Sequence, residues 1–236
     1  MFCDPIEKPN NRDIKNARKK MYGFSAKLNS ALKNNEYIRD YCRGLEISGE
    51  NPWDLTLTTE WKDIGKIKIT SFVLSDLWAL RDWWVYSLNY NSKHLFPLFP
   101  TNETLERGIT NHYKNHVQRR DIIFNAWLLK EDYLTQDLEN EIIGHFFLNR
   151  WGTEPEPGLA VADRFQKRKL GTLFIFILIN ITRLLDKKVI YIRTDIDNTA
   201  SFKFYQKLGF KHIRDTELEI PVVNYKSIIR ELEMDL

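Results

Sequence analysis

The sequence predicts an α/β fold, mixed in its strand order and preceded by a helical extension, and three observations predict it. From residue 66 onward, short runs that alternate apolar and polar side chains, or are dense in Ile, Val and Phe, recur as strands do. Between them lie segments of helical periodicity, among them the very apolar stretch 173–181. A chain of 236 residues that is 43% hydrophobic and 13% aromatic has ample material for a packed core.

The elements follow in order. Residues 1–60 form a helical N-terminal extension in which Ile14, Ala17, Met21, Phe24, Leu28 and Ala31 recur at spacings of three and four, one stripe of a helix, with Lys15, Arg18, Lys19 and Lys20 on the other face. That stripe suits packing on the main domain, dimerisation, or display of a basic arm to an acidic partner. A second short helix is expected over residues 35–45, and a turn over 49–52.

The main domain spans residues 61–236. Residues 66–73 alternate as a strand, and Ser75 is placed to cap a helix over 76–88. The prolines of segment 96–100 break the chain before a second helix that runs through His116. Strands are expected at 122–129, 141–149 and 159–162, a helix at 169–185, a strand at 189–194, a helix at 201–207, and closing strands at 212–220 and 225–234.

Composition excludes several classes. There are 35 basic and 32 acidic residues, net +3, a mixed balance that does not imply nucleic-acid binding. Cys3 and Cys42 are too few for a disulfide scaffold or a four-cysteine zinc site. Without a signal-peptide pattern or an apolar run of about 18 residues, no membrane association is expected and the location is expected to be cytoplasmic.

The densest chemical signal runs from Val161 to Thr172, where a strand passes through the basic turn Gln166, Lys167, Arg168, Lys169, Leu170 and Gly171 into a helix. The first amides of a helix lack internal acceptors and sit at the positive end of its dipole, so such a turn suits phosphate. It is neither a Walker loop nor a dinucleotide fingerprint. Further on, Asn198 is followed after seven residues by Tyr205, then Lys207, Gly209 and Phe210.

Together these segments resemble the GNAT superfamily, the acyl-CoA-dependent N-acyltransferases: a Gln/Arg-x-x-Gly-x-Gly/Ala pyrophosphate loop, then an Asn and a helix ending in Tyr-x-Lys-x-Gly-Phe. The resemblance runs from about Ile142 to Phe210 and extends more loosely from Ile64 to the C-terminus; Lys169 departs from it where the family usually has its first glycine. It implies a central mixed sheet of about six to seven strands with helices on both faces. It also implies an N-acetyltransferase that moves acetyl from acetyl-CoA to a primary amine in a ternary complex, with no metal.

Site residues carry over on the same basis. Gln166, Lys167, Arg168, Lys169, Leu170, Gly171 and Thr172 would hold the diphosphate, Leu159, Ala160 and Val161 the pantetheine arm on a splayed strand, and Asn198 and Ser201 further cofactor contacts. Gly158 and Pro157, which disfavour regular pairing, fit such an opening. Tyr205 would be the general acid, since a phenol is protonated at neutral pH.

The base is open between Glu156, near the start of the splayed strand, His145 on the strand before it, and an ordered water. Glu154 stands beside Glu156, and a solvated loop carboxylate or a core histidine are the plainer readings of these residues. His112 and His116, four apart on a helix with no third ligand evident, suit an exposed face or a substrate contact better than a metal.

Trp78, Trp83, Trp84, Tyr86 and Tyr90, with the 96–99 loop, make the helical region aromatic enough to wall an acceptor pocket as well as supply core. A small-molecule amine is therefore favoured as acceptor over a protein N-terminus or lysine, and a CoA-binding module without turnover is the alternative of another class. A homodimer is compatible with the sequence.

Overall fold

The computed structural model describes residues 22–95, 102–131, 138–220 and 225–236. Helix α1 (Phe24–Lys33) leads into strands β1 (Cys42–Ser48), β2 (Thr56–Trp61) and β3 (Gly65–Ser71). Helices α2 (Asp76–Tyr86), α3 (Tyr90–Leu95) and α4 (Asn102–Val117) follow, then strands β4 (Ile122–Glu131), β5 (Leu138–Asn149) and β6 (Glu156–Val161). A single 3-10 turn, Asp163–Phe165, precedes α5 (Leu170–Leu184), β7 (Val189–Asp195), α6 (Thr199–Lys207), β8 (Lys211–Ile220) and β9 (Tyr225–Asp235).

Strands β1 to β6 pair antiparallel in chain order as one six-stranded sheet, and β7, β9 and β8 form a second of three. The expected single mixed sheet is thus divided between β6 and β7. These two strands run side by side in the same direction with α5 crossing between them, the usual geometry of a β-α-β crossover. The Tyr191 amide of β7 donates to the carbonyl of Pro155, the residue just before β6, at 2.9 Å.

Helices cover the two faces of β5 differently. Phe146 stacks on Phe174 of α5 with ring centroids 4.4 Å apart, so Gly144 and Phe146 face that helix. His145 and Phe147 point the other way, towards Trp83 of α2 and His112 of α4. A Cβ on Gly144 would lie 2.4 Å from the Phe174 ring, which is why only glycine fits there.

The N-terminal region departs from its reading as a helical extension. The helix expected over 35–45 is replaced by turns and β1, and β2 pairs residue for residue with β3, so a division at residue 60 falls inside a strand. Leu45, Leu57, Thr59 and Trp61 are buried, and the period-two burial of β2 outweighs local helix preference.

Phe24, Leu28 and Leu32 form the buried stripe of α1, which packs on α5 and β1. Its proposed start at Ile14, Ala17 and Met21, the basic Arg18, Lys19 and Lys20, Cys3, and the 96–100 break lie outside the described residues. Beside α1, Tyr37 stacks on Phe176 at 5.5 Å, so α5 is covered on its outer side as well and can be apolar nearly all round.

Ser75 does not cap α2 with its side chain; the Asp76 carboxylate takes the Val73 amide at 3.1 Å. Among the described residues no helix is long and apolar enough to cross a membrane.

Candidate active site

The basic turn between β6 and α5 is built from non-glycine residues in glycine-like conformations. Lys167 has φ 60° and Lys169, the residue just before α5, has φ 66°. Left-handed backbone costs a side-chain-bearing residue about 1–2 kcal/mol. The conformation at Lys169 gives the physical reason why similar loops carry glycine at that position.

Contacts from both sides hold this turn. The Asp163 carboxylate accepts from the Asn89 amide at 2.6 Å, the Ser92 hydroxyl at 2.6 Å and the Gln166 side-chain amide at 2.8 Å, tying the α2–α3 turn to the loop. On the other side, the Trp61 indole N–H donates to the Arg168 carbonyl at 2.9 Å, and the Arg168 guanidinium donates to the Asp63 carbonyl at 2.7 Å. Asp163 and Trp61 were not legible as site residues, because neither belongs to a phosphate-loop pattern. Lys167, Arg168 and Lys169 are exposed, Gly171 is half-buried and Thr172 and Leu170 are buried in the first turn of α5.

Beside the loop, β6 has one paired and one open edge. Leu159, Ala160 and Val161 pair with Phe146, His145 and Gly144 of β5, while beyond Glu156 the other edge diverges from β7. Pro157 and Gly158 stay in regular register with Leu148 and Phe147, so they do not create the opening. Gly158 instead makes room, since a Cβ there would sit 2.2 Å from the Phe147 ring.

Helix α6 starts at Asn198, whose side-chain oxygen accepts the Ser201 amide at 3.1 Å, and Ser201 is half-buried. Tyr205 is buried between Phe204 and Phe210, with ring centroids at 5.1 and 5.5 Å, and burial raises its phenol well above the ordinary value. A phenol so placed keeps its proton at every physiological pH and can only donate it.

On the face turned away from α5, Glu156 and Arg193 form a two-pronged ion pair with contacts of 2.8 and 2.5 Å. They line a cavity of 460 Å³ together with Glu154, Tyr191, Arg214 and Glu231. Glu154 is exposed and 3.7 Å from Arg150.

His145 does not reach this cavity. It is wholly buried, its Nδ1 donates to the Asn125 side-chain oxygen at 2.8 Å, and the Asn125 amide in turn donates to Asp76 at 3.0 Å. Burial pulls its pKa down to about 3, so it is neutral and weakly basic at pH 7.

His112 and His116 correct the expectation of an exposed helix face. Both are buried on the stripe with Leu105 and Ile109, and the Ile123 amide donates to His116 Nδ1 at 3.0 Å. Among the described residues no three metal-binding side chains come together.

The aromatic residues divide as well. Trp83 and Trp84 are core, Trp78, Tyr86 and Tyr90 are exposed, and none of the five lines the cavity, whose walls come from β6, β7, β8, β9 and the turn before β6.

Residues 67–211 match the Acetyltransferase (GNAT) domain family. The chain belongs to the GNAT family. Solved structures agree on this fold: the GNAT domain of S. lividans PAT is 16% identical with a TM-score of 0.55, covering 77% of this chain and 97% of its own. A spermidine N-acetyltransferase from Vibrio cholerae, in complex with CoA and spermine, is 16% identical at TM-score 0.54, covering 72% and 95%. RimL, a ribosomal L7/L12 alpha-N-protein acetyltransferase in complex with coenzyme A, is 13% identical at TM-score 0.55, covering 72% and 94%. No curated protein matches the sequence.

Proposed function

We propose that this GNAT protein is an N-acetyltransferase that moves acetyl from acetyl-CoA to the primary amine of a small molecule by direct transfer. The observation that carries the reading is the parting of β6 from β7 beside the α5 loop, which leaves one strand edge unpaired next to a set of helix-start amides. The residues fit the donor: Gln166, Lys167, Arg168, Lys169, Leu170, Gly171 and Thr172 would hold its diphosphate, and Leu159, Ala160 and Val161 its pantetheine arm. Acetyl-CoA supplies an acetyl group activated as a thioester.

The chain's own groups supply the rest. Amides of the unpaired β6 edge orient the acyl carbonyl and stabilise charge on its oxygen. Tyr205 holds a proton at its phenol oxygen for the departing sulfur. Glu156, which lines the cavity, accepts the proton of the amine directly or through water, and His145 is left to the core.

The cavity supports a small acceptor. Its volume of 460 Å³ falls in the range of small-molecule sites, and its wall sets the carboxylates of Glu154, Glu156, Glu231 and Glu233 against the guanidiniums of Arg150, Arg193 and Arg214, a net negative charge that suits an ammonium group. The spermidine acetyltransferase among the structural neighbours accords with such a ligand, whereas RimL represents a protein acceptor.

Calorimetry with CoA, followed by thiol release from acetyl-CoA over panels of small amines and N-terminal peptides, tests the proposal. The expected result is CoA binding, turnover on a small amine and a fall of about 100-fold in kcat for Tyr205→Phe, the usual contribution of a positioned acid. CoA binding without turnover on any panel would favour a regulatory module instead.

A further inference from the structure

We infer that Trp61 is a positioning residue for the diphosphate loop, reaching it from a strand that precedes the matched family domain. Trp61 ends β2 and precedes residue 67, where the family match begins. Its ring is buried and stacks on Tyr41 at 5.9 Å, so the indole is fixed by packing before it meets the loop. Its N–H donates to the Arg168 carbonyl, and Arg168 donates back to the carbonyl of Asp63 in the same hairpin, so two bonds of opposite direction clasp one residue.

The clasped residue lies between Lys167 and Lys169, the two positions whose left-handed backbone is unfavourable for a side chain. Glycine would adopt those conformations without help; lysine needs an external hold. The hairpin provides that hold, which keeps the α5 amides aimed outward before any ligand arrives. One consequence is that the Arg168 guanidinium is oriented by Asp63, leaving Lys167 and Lys169 as the loop's more mobile cations.

The inference rests on the reading of α5 as a diphosphate site, and the experiment separates the two. Trp61→Phe keeps a buried aromatic ring and removes the N–H donor along with part of the indole's volume. Hydrogen exchange of the ligand-free protein, followed on peptides covering residues 165–176, is expected to quicken, with the rest of the chain unchanged. CoA dissociation and the KM for acetyl-CoA are expected to rise about fivefold, the effect of one ordinary hydrogen bond, with kcat reduced by less than about twofold.

Arg168→Met removes the other half of the clasp and is expected to quicken exchange in the same peptides, which keeps the test intact should Trp61→Phe not fold. Unaltered exchange across 165–176 in a folded variant overturns the inference. Quickened exchange in a protein that never binds CoA would leave the brace standing and overturn the functional reading alone.

Discussion

The Arg193 guanidinium grips the Glu156 carboxylate with two hydrogen bonds, of 2.8 and 2.5 Å, across the line where β6 and β7 part. A forked pair fixes both position and orientation, more than a single contact would. It holds Glu156 against the wall of the cavity proposed to take the acceptor. Replacing Glu156 by Gln keeps the shape and removes the proton-accepting oxygen. We expect kcat to fall about 100-fold and stability to fall by about 1–3 kcal/mol, since the pair is mostly buried and Arg193 is left without its carboxylate. Steady-state kinetics beside urea unfolding checks both, and full activity would assign the proton to water.

Acid should destabilise this protein early. His112, His116 and His145 are held neutral by burial, the second near pKa 4 and the third near 3, whereas in the unfolded chain each takes up a proton near 6.5. Below that pH the unfolded state binds up to three more protons, so stability is lost as pH falls. Asp121, raised by burial to about 6, has the opposite sign, because between its folded and unfolded values the folded state holds the extra proton. Asp76 is shifted in the same direction. A net of one to two protons remains, or about 1.4–3 kcal/mol per pH unit below pH 6. Urea midpoints at pH 7, 6 and 5 measure the slope, and a flat profile would mean that the folded histidines take up protons.

The packing against α5 leaves no tolerance at Gly144. A methyl there meets the Phe174 ring at 2.4 Å and the Ala160 carbonyl at 3.2 Å, on a strand fixed on both sides. Gly144→Ala should cost about 1–3 kcal/mol, the usual penalty for overpacking. Because Ala160 lies on the strand proposed to hold the pantetheine arm, CoA affinity should fall with it. Denaturation and CoA titration of the one variant test both; unchanged values would show that Phe174 can move aside.

Much of this was legible in the sequence, for reasons visible in particular residues. From β3 to β9, the strands and the helices other than the short α3 were readable because their periods and caps are local, as at Asn198 with Ser201 and at Gly209, which has φ 96°. Local patterns could not show that β1 and β2 would join the sheet, since that depends on pairing with β3. His112 and His116 read as exposed until the stripe with Leu105 and Ile109 was seen to face β5. The cavity was beyond reach, as its walls come from residues 150, 193, 214 and 231, brought together only by the two sheets. Asp163 and Trp61 act through partners 74 and 107 residues away, and no spacing rule registers such contacts.

Helix α1 joins the fold as a cover for α5. A helix as apolar as α5 needs cover on every side, and β5 and β6 cover only one. Phe24, Leu28 and Leu32 cover a second side, each with almost no exposed surface. Leu28→Ala therefore opens a cavity at this contact, at a cost of about 2–5 kcal/mol. Because α5 begins at the end of the loop proposed to hold the diphosphate, the loss should appear as lower stability first, with CoA affinity following only as the protein unfolds. A stripe used for dimerisation would respond differently: Leu28→Ala would shift the sedimentation coefficient towards monomer at a nearly constant unfolding midpoint. Paired urea and sedimentation measurements separate the two, and the burial of Leu28 within one chain predicts the first.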